Sequence, residues 1–165
     1  MPYAVTNLDP MSRLSLLVFR AQRALNLEGD QLSAPWGLTS AKWKVLGAVD
    51  LAGTPLSSAA IGRAMGLTRQ AALKQTDQLL AMGLLTQQID PNDARAPVYS
   101  LSPAGRRAYD GISTEWQKRG AALTSEIAST ALEDACQVLV TLLTRMESGI
   151  QPQESDQATD FTQVR

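Results

Sequence analysis

The sequence predicts a mainly α-helical fold with one small β-hairpin, an α+β arrangement. Apolar residues recur at helical spacing in long segments near both ends of the 165-residue chain. In the middle, a Gly66-Leu67-Thr68 turn separates two shorter helical segments. Two short strands follow, residues 84–90 and 97–101, and they are close enough to pair as a hairpin. Helix, turn, helix and hairpin in this order is the plan of a winged helix-turn-helix, in which the hairpin is the wing.

The charge of the chain is unevenly distributed. Its net charge is −1, and 44% of its residues are hydrophobic, which is enough for a folded core. Residues 57–107 nevertheless contain six basic and three acidic residues, which gives this segment +3 and leaves −4 for the rest. A positive segment in an acidic chain favours a protein that binds phosphates on one face.

The composition excludes most enzyme chemistry. The chain has no histidine and a single cysteine, Cys136. Ser-His-Asp and Cys-His catalysis and every His-based or multi-Cys metal site are therefore excluded, and no glycine-rich phosphate loop or paired-carboxylate motif is present. We expect neither an enzyme nor a cofactor or metal. A lone cysteine is typical of a reducing compartment, and no apolar run is long enough to span a bilayer, so we expect a soluble cytoplasmic protein.

The N-terminal part predicts an arm, a helix and a loop. Residues 1–10 carry two prolines and little periodicity. Residues 12–27 form the first predicted helix. Its apolar stripe consists of Leu14, Leu17, Val18, Ala21 and Leu25. Residues 28–37 contain Gly29, Asp30 and further breakers, which predict a loop.

Three hydroxyl residues mark the starts of the central helices. Thr39, Ser57 and Thr68 each precede a helical segment, where the side-chain oxygen can accept from free amides of the first turn. Leu38 with Trp43 forms a predicted hydrophobic staple at the first of these starts. The three predicted helices stop at glycines, namely Gly53, Gly66 and Gly83.

The C-terminal part predicts two long apolar helices and a polar tail. Ser102-Pro103 starts the first, whose apolar face continues to Ile127, and a break is expected near Ser129-Thr130. The second stripe comprises Leu132, Cys136, Leu139, Leu142, Leu143 and Met146. A small winged domain cannot cover such faces, so we expect the first and last helices to form a dimer layer. Residues 151–165 are polar and predicted to be disordered.

The central motifs are similar to those of the MarR family (multiple antibiotic resistance regulators). The resemblance rests on motifs at matching positions, namely Leu38-Thr39, Leu56-Ser57, Gly66-Leu67-Thr68, Met82-Gly83-Leu84, Asp90-Pro91-Asn92-Asp93-Ala94-Arg95 and Leu101-Ser102-Pro103-Ala104-Gly105. It implies a homodimeric transcription factor that grips a palindromic operator; many such proteins are repressors released by small aromatic or anionic molecules. The implied domain covers residues 11–150, with dimerisation helices at 11–37 and 102–150 around a DNA-binding lobe at 38–101.

The second helix of the motif carries the candidate base-reading residues. Counted from the Thr68 cap, Ala72, Thr76, Leu79 and Leu80 face inward. The opposite face carries Arg69, Gln70, Leu73, Lys74 and Asp77. Arg pairs with guanine and Gln with adenine through two hydrogen bonds each, while a leucine can touch a thymine methyl. Lys74 and Arg63 are candidates for phosphate contacts. The alternative interpretation is that these residues are an ordinary solvated helix surface.

Two further residues are candidates in the wing. Asp93 and Arg95 lie two positions apart in the turn of the hairpin. The family resemblance implies that the carboxylate orients the guanidinium, which enters the minor groove, and narrow minor grooves attract arginine. The alternative is a surface ion pair of little energetic weight.

Aromatic residues suggest a ligand cavity between the dimer helices and the DNA-binding lobe. The candidates for its lining are Phe19, Arg20, Trp36, Trp43 and Trp116. Aromatic walls with one cation would suit an aromatic acid, although Trp43 in a staple position is also typical of a core residue.

The sequence thus favours a cytoplasmic homodimeric DNA-binding regulator, a repressor released by a small ligand. Two alternatives stay open: a winged-helix protein-interaction module without DNA binding, and a redox-responsive regulator that uses Cys136. The apolar stripe around Cys136 contains no basic neighbour, which favours a buried structural cysteine over a redox switch.

Overall fold

The computed structural model describes residues 7–89 and 97–149. The chain divides into two compact units, Met1–Ala121 and Ala122–Arg165. Most of the predicted arm, the predicted wing turn with Asp93 and Arg95, and the predicted tail at 151–165 lie outside the described residues.

The described chain is mainly helical with a small antiparallel sheet, so the predicted fold class is confirmed. The elements in chain order are α1 (Pro10–Ser33), a 3₁₀ turn (Ala34–Trp36), α2 (Ser40–Ala52), β1 (Leu56–Ser57), α3 (Ser58–Met65), α4 (Arg69–Ala81), β2 (Leu85–Ile89), β3 (Pro97–Leu101), α5 (Pro103–Thr124) and α6 (Ser129–Glu147). The caps at Thr39, Ser57 and Thr68 are all present, each accepting from a backbone amide three residues on.

Helix α1 is longer than predicted at both ends. Asp9 caps it by accepting from the amides of Met11 and Ser12 at 3.0 Å. Hydrogen bonds from Ser12, led by that of its side chain, lower the pKa of the Asp9 carboxyl.

The predicted loop at 28–37 is wrong over its first six residues, which continue α1. Gly29 is buried there, and a Cβ on it would lie only 2.8 Å from the Ser40 Cβ. Asp30 accepts from the Ser40 amide at 2.7 Å. Both residues are therefore needed for the close approach of α1 to the start of α2 rather than to end a helix.

The sheet has three strands in the order β1-β3-β2, and all pairs are antiparallel. Tyr99 on the central strand lies opposite Leu56 on one side and Gln87 on the other. The hairpin of β2 and β3 was predicted, whereas β1 was not, because two residues carry no readable alternation.

One core holds helices α2 to α5 against the sheet. Its largest fully buried side chains include Leu46 of α2, Ile61 of α3, Leu79 of α4, Tyr99 of β3 and Ile112 of α5. Burial of such side chains removes apolar surface from water and stabilises the folded chain by about 25 cal/mol per Å² of that surface. Helix α4 is thereby fixed along one face only, and its other face remains available.

The junction between the sheet and α5 is locked by backbone contacts. The Ser102 hydroxyl donates to the Gly83 carbonyl at 2.7 Å and accepts from the Gly105 amide at 3.0 Å. A Cβ on Gly105 would overlap the Leu84 carbonyl oxygen, so this position requires glycine.

One expectation about the C-terminal helices is wrong. Helix α5 ends at Thr124, so Ile127 lies in the connection rather than on the helix face and is half exposed. The break predicted near Ser129-Thr130 is confirmed, since the connection ends directly before Ser129, where α6 begins.

Cys136 is exposed in the described chain, contrary to the prediction of a buried thiol, because α6 buries none of its own residues. No single helix of the described ranges is long and apolar enough to cross a membrane; α5 and α6 meet that criterion only when taken together, by length and composition.

Candidate nucleic-acid interface

The turn between α3 and α4 is built by a left-handed glycine. Gly66 follows α3 with φ +62°, a conformation that costs glycine little. The next amide, of Leu67, donates to the Gly62 carbonyl at 2.9 Å and closes the helix end. A Cβ on Gly62 would lie 3.0 Å from the Leu67 oxygen, so the turn folds tightly back on α3.

Thr68 sets the start of α4. Its side-chain oxygen accepts from the Ala71 amide at 3.1 Å, with the Thr68 backbone extended. Arg69 and Gln70 consequently occupy the first helical turn, and both are exposed.

The two faces of α4 divide as the sequence predicted. Ala72, Thr76 and Leu79 are fully buried, and the Thr76 hydroxyl is satisfied by donating to the Leu73 carbonyl at 2.8 Å. The exposed set is Arg69, Gln70, Leu73, Lys74 and Asp77. Leu73 keeps 43% of its surface exposed although it is apolar. The buried face thus fixes α4 so that its outer face carries two cations, one carboxylate, an amide and an apolar side chain.

Three basic side chains on α3 and α4 are not used in ion pairs within the described ranges. Arg63, Arg69 and Lys74 form no ion pair with any residue in the described ranges. Arg106 and Arg119, in contrast, are paired with Asp50 and Glu28. Unpaired cations on one face are available to phosphate groups without the cost of breaking an ion pair.

The wing is described only at its base. Gln87 and Gln88 are exposed on β2, and Ile89 at its end is 72% exposed opposite Pro97. Gln88 and Ile89 carry no sequence signal other than their position beside the predicted wing turn.

The structure brings together some of the predicted ligand-lining residues. The rings of Trp43 and Trp116 meet edge to face, with centroids 5.8 Å apart and planes at 63°. Trp36 lies against α5, where a Cβ on Gly111 would overlap its ring. The indole N–H of Trp43 is buried and has no hydrogen-bond partner among the residues that the structure describes.

Trp36, Trp43 and Trp116 all lie at α5 and are called the tryptophan cluster here, and Phe19 and Arg20 are not part of it. Both are exposed on α1, and Phe19 keeps 68% of its surface exposed. Helix α1 approaches Trp43 at Gly29, ten residues further on, which is about 15 Å along a helix axis.

An open cleft of about 370 Å³ was not foreseen from the sequence. It lies between the end of α2 with its following loop and the end of β3 with the first turn of α5. Asp50 and Arg106 both line it and form an ion pair. No sequence signal connects two residues so far apart.

Among the residues that the structure describes, no group of three or more His, Cys, Asp or Glu side chains could hold a metal.

The buried core, the capped α4 and the hairpin together define a winged helix-turn-helix protein. The model of the MarR family matches residues 36–96. An uncharacterized protein of Mycobacterium tuberculosis, Rv2011c, is 30% identical over 105 residues, which are 64% of this chain and 72% of that protein. The chain belongs to the MarR family, whose members are transcription regulators rather than enzymes.

Solved structures share the fold. A mutant MarR from Escherichia coli complexed with operator DNA matches with a TM-score of 0.69 and 18% identity, covering 79% of this chain and 93% of that one. CouR from Rhodococcus jostii, bound to p-coumaroyl-CoA, matches with a TM-score of 0.72 and 19% identity, covering 84% and 94%. At these identities the likeness concerns the fold alone.

Proposed function

We propose that this protein is a cytoplasmic, homodimeric, sequence-specific DNA-binding repressor released by a small ligand. One observation carries the proposal: the outward face of α4 presents Arg69 and Lys74, which have no ion-pair partner within the described ranges, beside Gln70 and Leu73. The opposite face of the same helix is buried in the core, so these side chains have a fixed platform. DNA binding by such a helix is the use that the MarR fold suggests.

In this proposal each side chain has its own role in the major groove. Arg69 pairs with a guanine, Gln70 with an adenine, and Leu73 packs on a thymine methyl. Lys74 and Arg63 hold phosphates and set the register, while Thr68 fixes where the helix starts.

The wing would add a contact in the minor groove. The resemblance implies that Arg95, braced by Asp93, enters the groove beside each half-site. Both residues lie outside the described ranges, and the proposal for them rests on the family motif. The crystallised E. coli MarR complex with operator DNA supports the general binding mode.

A second copy of the chain is the proposed dimer partner. Exposed apolar side chains on α1 include Leu17, Phe19 and Leu25, and those on α6 include Leu139 and Leu143. Faces of this kind are costly to leave in water and are typical of interfaces between subunits. Two copies related by a two-fold axis would read half-sites about 10 bp apart on a palindromic operator.

A small ligand would act through the tryptophan cluster. Trp36, Trp43 and Trp116 offer aromatic surface, and the unpartnered Trp43 N–H offers one donor for a polar group. Phe19 and Arg20 lie outside the tryptophan cluster within one chain, so they would have to join the site from elsewhere. CouR was crystallised with p-coumaroyl-CoA, an aromatic and anionic molecule, which supports this ligand class. The ligand shifts the dimer geometry only by its different affinities for the two shapes.

Selection of bound DNA from a random pool by the full chain tests the proposal. We expect enrichment of a palindrome, and we expect Arg69→Ala to weaken binding of that DNA by about 1–3 kcal/mol in fluorescence anisotropy. Arg23→Ala is the matched control, since Arg23 is an exposed α1 arginine without an ion-pair partner in the described ranges. A folded dimer that retains no DNA at low salt would reject DNA binding and favour the protein-interaction alternative.

One second candidate is a redox-responsive regulator. Cys136 is exposed in a single copy of the chain, so its thiol is open to oxidation whenever the proposed α6 interface is not formed. Release of the selected DNA by peroxide, measured for the native chain and Cys136→Ser, decides this point. If both release DNA equally, Cys136 is not the sensor.

A further inference from the structure

The cleft between α2 and α5 contains a complete ion pair with unused hydrogen-bonding capacity. Arg106 donates through Nη1 to Oδ1 of Asp50, and Asp110 lies 3.9 Å from the same Nη1. Within the described ranges, Nε and Nη2 of Arg106 and Oδ2 of Asp50 have no hydrogen-bond partner. A guanidinium has five donors in a fixed fork, so a carboxylate can bind its free edge without displacing Asp50.

The formal charges of this pair select against simple ions. An anion that approaches Arg106 also meets the carboxylate of Asp50, and a cation that approaches Asp50 meets the guanidinium. A zwitterion avoids both penalties, because its carboxylate pairs with Arg106 while its ammonium pairs with the free oxygen of Asp50.

The remaining walls of the cleft suit an apolar side chain. Val49, Pro55, Leu101 and Pro103 line it together with the hydroxyl-bearing Thr54 and Ser100. Its volume of about 370 Å³ is near the lower end of the range of about 300–1,000 Å³ typical of small-molecule sites. The occupant is therefore small.

We propose that this cleft binds an α-amino acid with an apolar side chain, its carboxylate on Arg106 and its ammonium on Asp50. The site is separate from the tryptophan cluster and from the outward face of α4, and it does not depend on DNA binding. The ligand would bridge the end of α2 to the junction of β3 and α5.

Isothermal titration calorimetry of the full chain with three matched compounds tests the proposal. L-leucine carries both charges, 4-methylpentanoate lacks the amine, and 3-methylbutylamine lacks the carboxylate. We expect saturable binding of L-leucine, with each single-charge analogue at least about tenfold weaker, as the loss of a charged hydrogen bond implies.

Removal of one charge in the cleft shows whether Asp50 recognises the ligand or only holds Arg106 in place. Asp50→Asn retains a hydrogen-bond acceptor for Arg106 but removes the negative charge. We expect it to weaken L-leucine binding about tenfold and to strengthen binding of 4-methylpentanoate, because the repelling carboxylate is gone. Arg107→Gln is the control: Arg107 is the exposed neighbour of Arg106 and has no ion-pair partner among the described residues.

Three results would overturn the proposal. The first is the absence of saturable heat with L-leucine when circular dichroism shows that the protein is folded. The second is equal binding of L-leucine and 4-methylpentanoate. The third is an equal effect of Asp50→Asn on the binding of both compounds. None of these measurements involves DNA, so their outcome is independent of the proposed function.

Discussion

Among the described glycines, Gly105 has the tightest backbone contact, at the junction between β3 and α5. It lies in the first turn of α5, directly against the Leu84 carbonyl, while its own amide is taken by Ser102. A side chain at this position has no flexible neighbour to displace, since the atom it meets belongs to the backbone. The Ser102-Pro103-Ala104-Gly105 run is therefore as much a packing motif as a helix start.

Replacement of Gly105 by alanine should destabilise the protein. We expect Gly105→Ala to lower the free energy of unfolding by about 1–3 kcal/mol, because α5 must move away from Leu84. Gly120→Ala is the matched control in the same helix, where an added Cβ meets nothing within 4 Å and alanine favours the helix by up to about 1 kcal/mol. Urea unfolding followed by circular dichroism measures both, and equal stability of the two variants would contradict the packing argument.

Glu28 and Arg119 connect α1 to α5 through a two-point contact. The two guanidinium nitrogens Nε and Nη2 donate to the two carboxylate oxygens at 3.1 and 2.9 Å. The hydrogen bond from Arg119 holds the pKa of the Glu28 carboxyl below its ordinary value, and the same contact raises the pKa of Arg119.

The stabilisation from this pair should depend on pH in a defined direction. Because the folded pKa of Glu28 is lowered, the contribution is complete above the unfolded pKa, about 4.3, and is lost as the pH falls through the folded value. We expect Glu28→Gln to be less stable than the native chain at neutral pH, with a difference that shrinks in acid. Urea unfolding across this range measures it, and Glu126→Gln in the α5–α6 connection is the control. A difference that persists below the folded pKa would show that the contribution of Glu28 does not come from its charge.

At the level of elements, the sequence predicted what is decided locally. The caps at Thr39, Ser57 and Thr68 are correct because a cap is a contact over three residues. The extension of α1 was missed because the role of Gly29 depends on Ser40, and this contact has no local signature.

In the candidate site, too, features decided locally were predictable and features that depend on distant contacts were not. The inward and outward faces of α4 follow from helical period alone, and the structure agrees with them. The cleft with Asp50 and Arg106 depends on two elements that are distant in sequence, so no pattern pointed to it. The distance of Phe19 from the tryptophan cluster likewise became visible only when α1 was placed against α2.

The start of α4 should be sensitive to loss of the Thr68 hydroxyl. We expect Thr68→Ala to cost about 1 kcal/mol of stability, because the Ala71 amide loses its acceptor, and Thr68→Ser to retain most of it. Urea denaturation of both variants tests this. If serine is no better than alanine, the methyl group of Thr68 rather than its hydroxyl would be responsible.

At the scale of the whole molecule, much exposed apolar surface lies on α6, outside the winged-helix core. Helix α6 buries none of its residues in the described chain, although Leu139, Val140, Leu143 and Met146 lie along it. Among the described residues, the core of the winged helix contains none from α6. In the proposed dimer, a second copy of the chain would cover the apolar α6 and supply the two-fold symmetry expected of an operator.

A single charge on α6 should therefore separate the dimer without unfolding the lobe. Leu143→Glu places a carboxylate on the exposed stripe, where it would be buried without a partner in a dimer, at a cost that exceeds most single contacts. We expect multi-angle light scattering to give a dimer for the native chain and a monomer for this variant, with unchanged helix content. Leu51→Glu is the matched control, since Leu51 is 77% exposed on α2 and lies outside the proposed interface. In fluorescence anisotropy the monomer should bind the selected palindrome far more weakly than native protein, because two linked recognition helices bind with an effective concentration that one lacks. A Leu143→Glu protein that stays dimeric would remove α6 from the interface, whereas a monomer with native DNA affinity would remove the dimer from the binding mode.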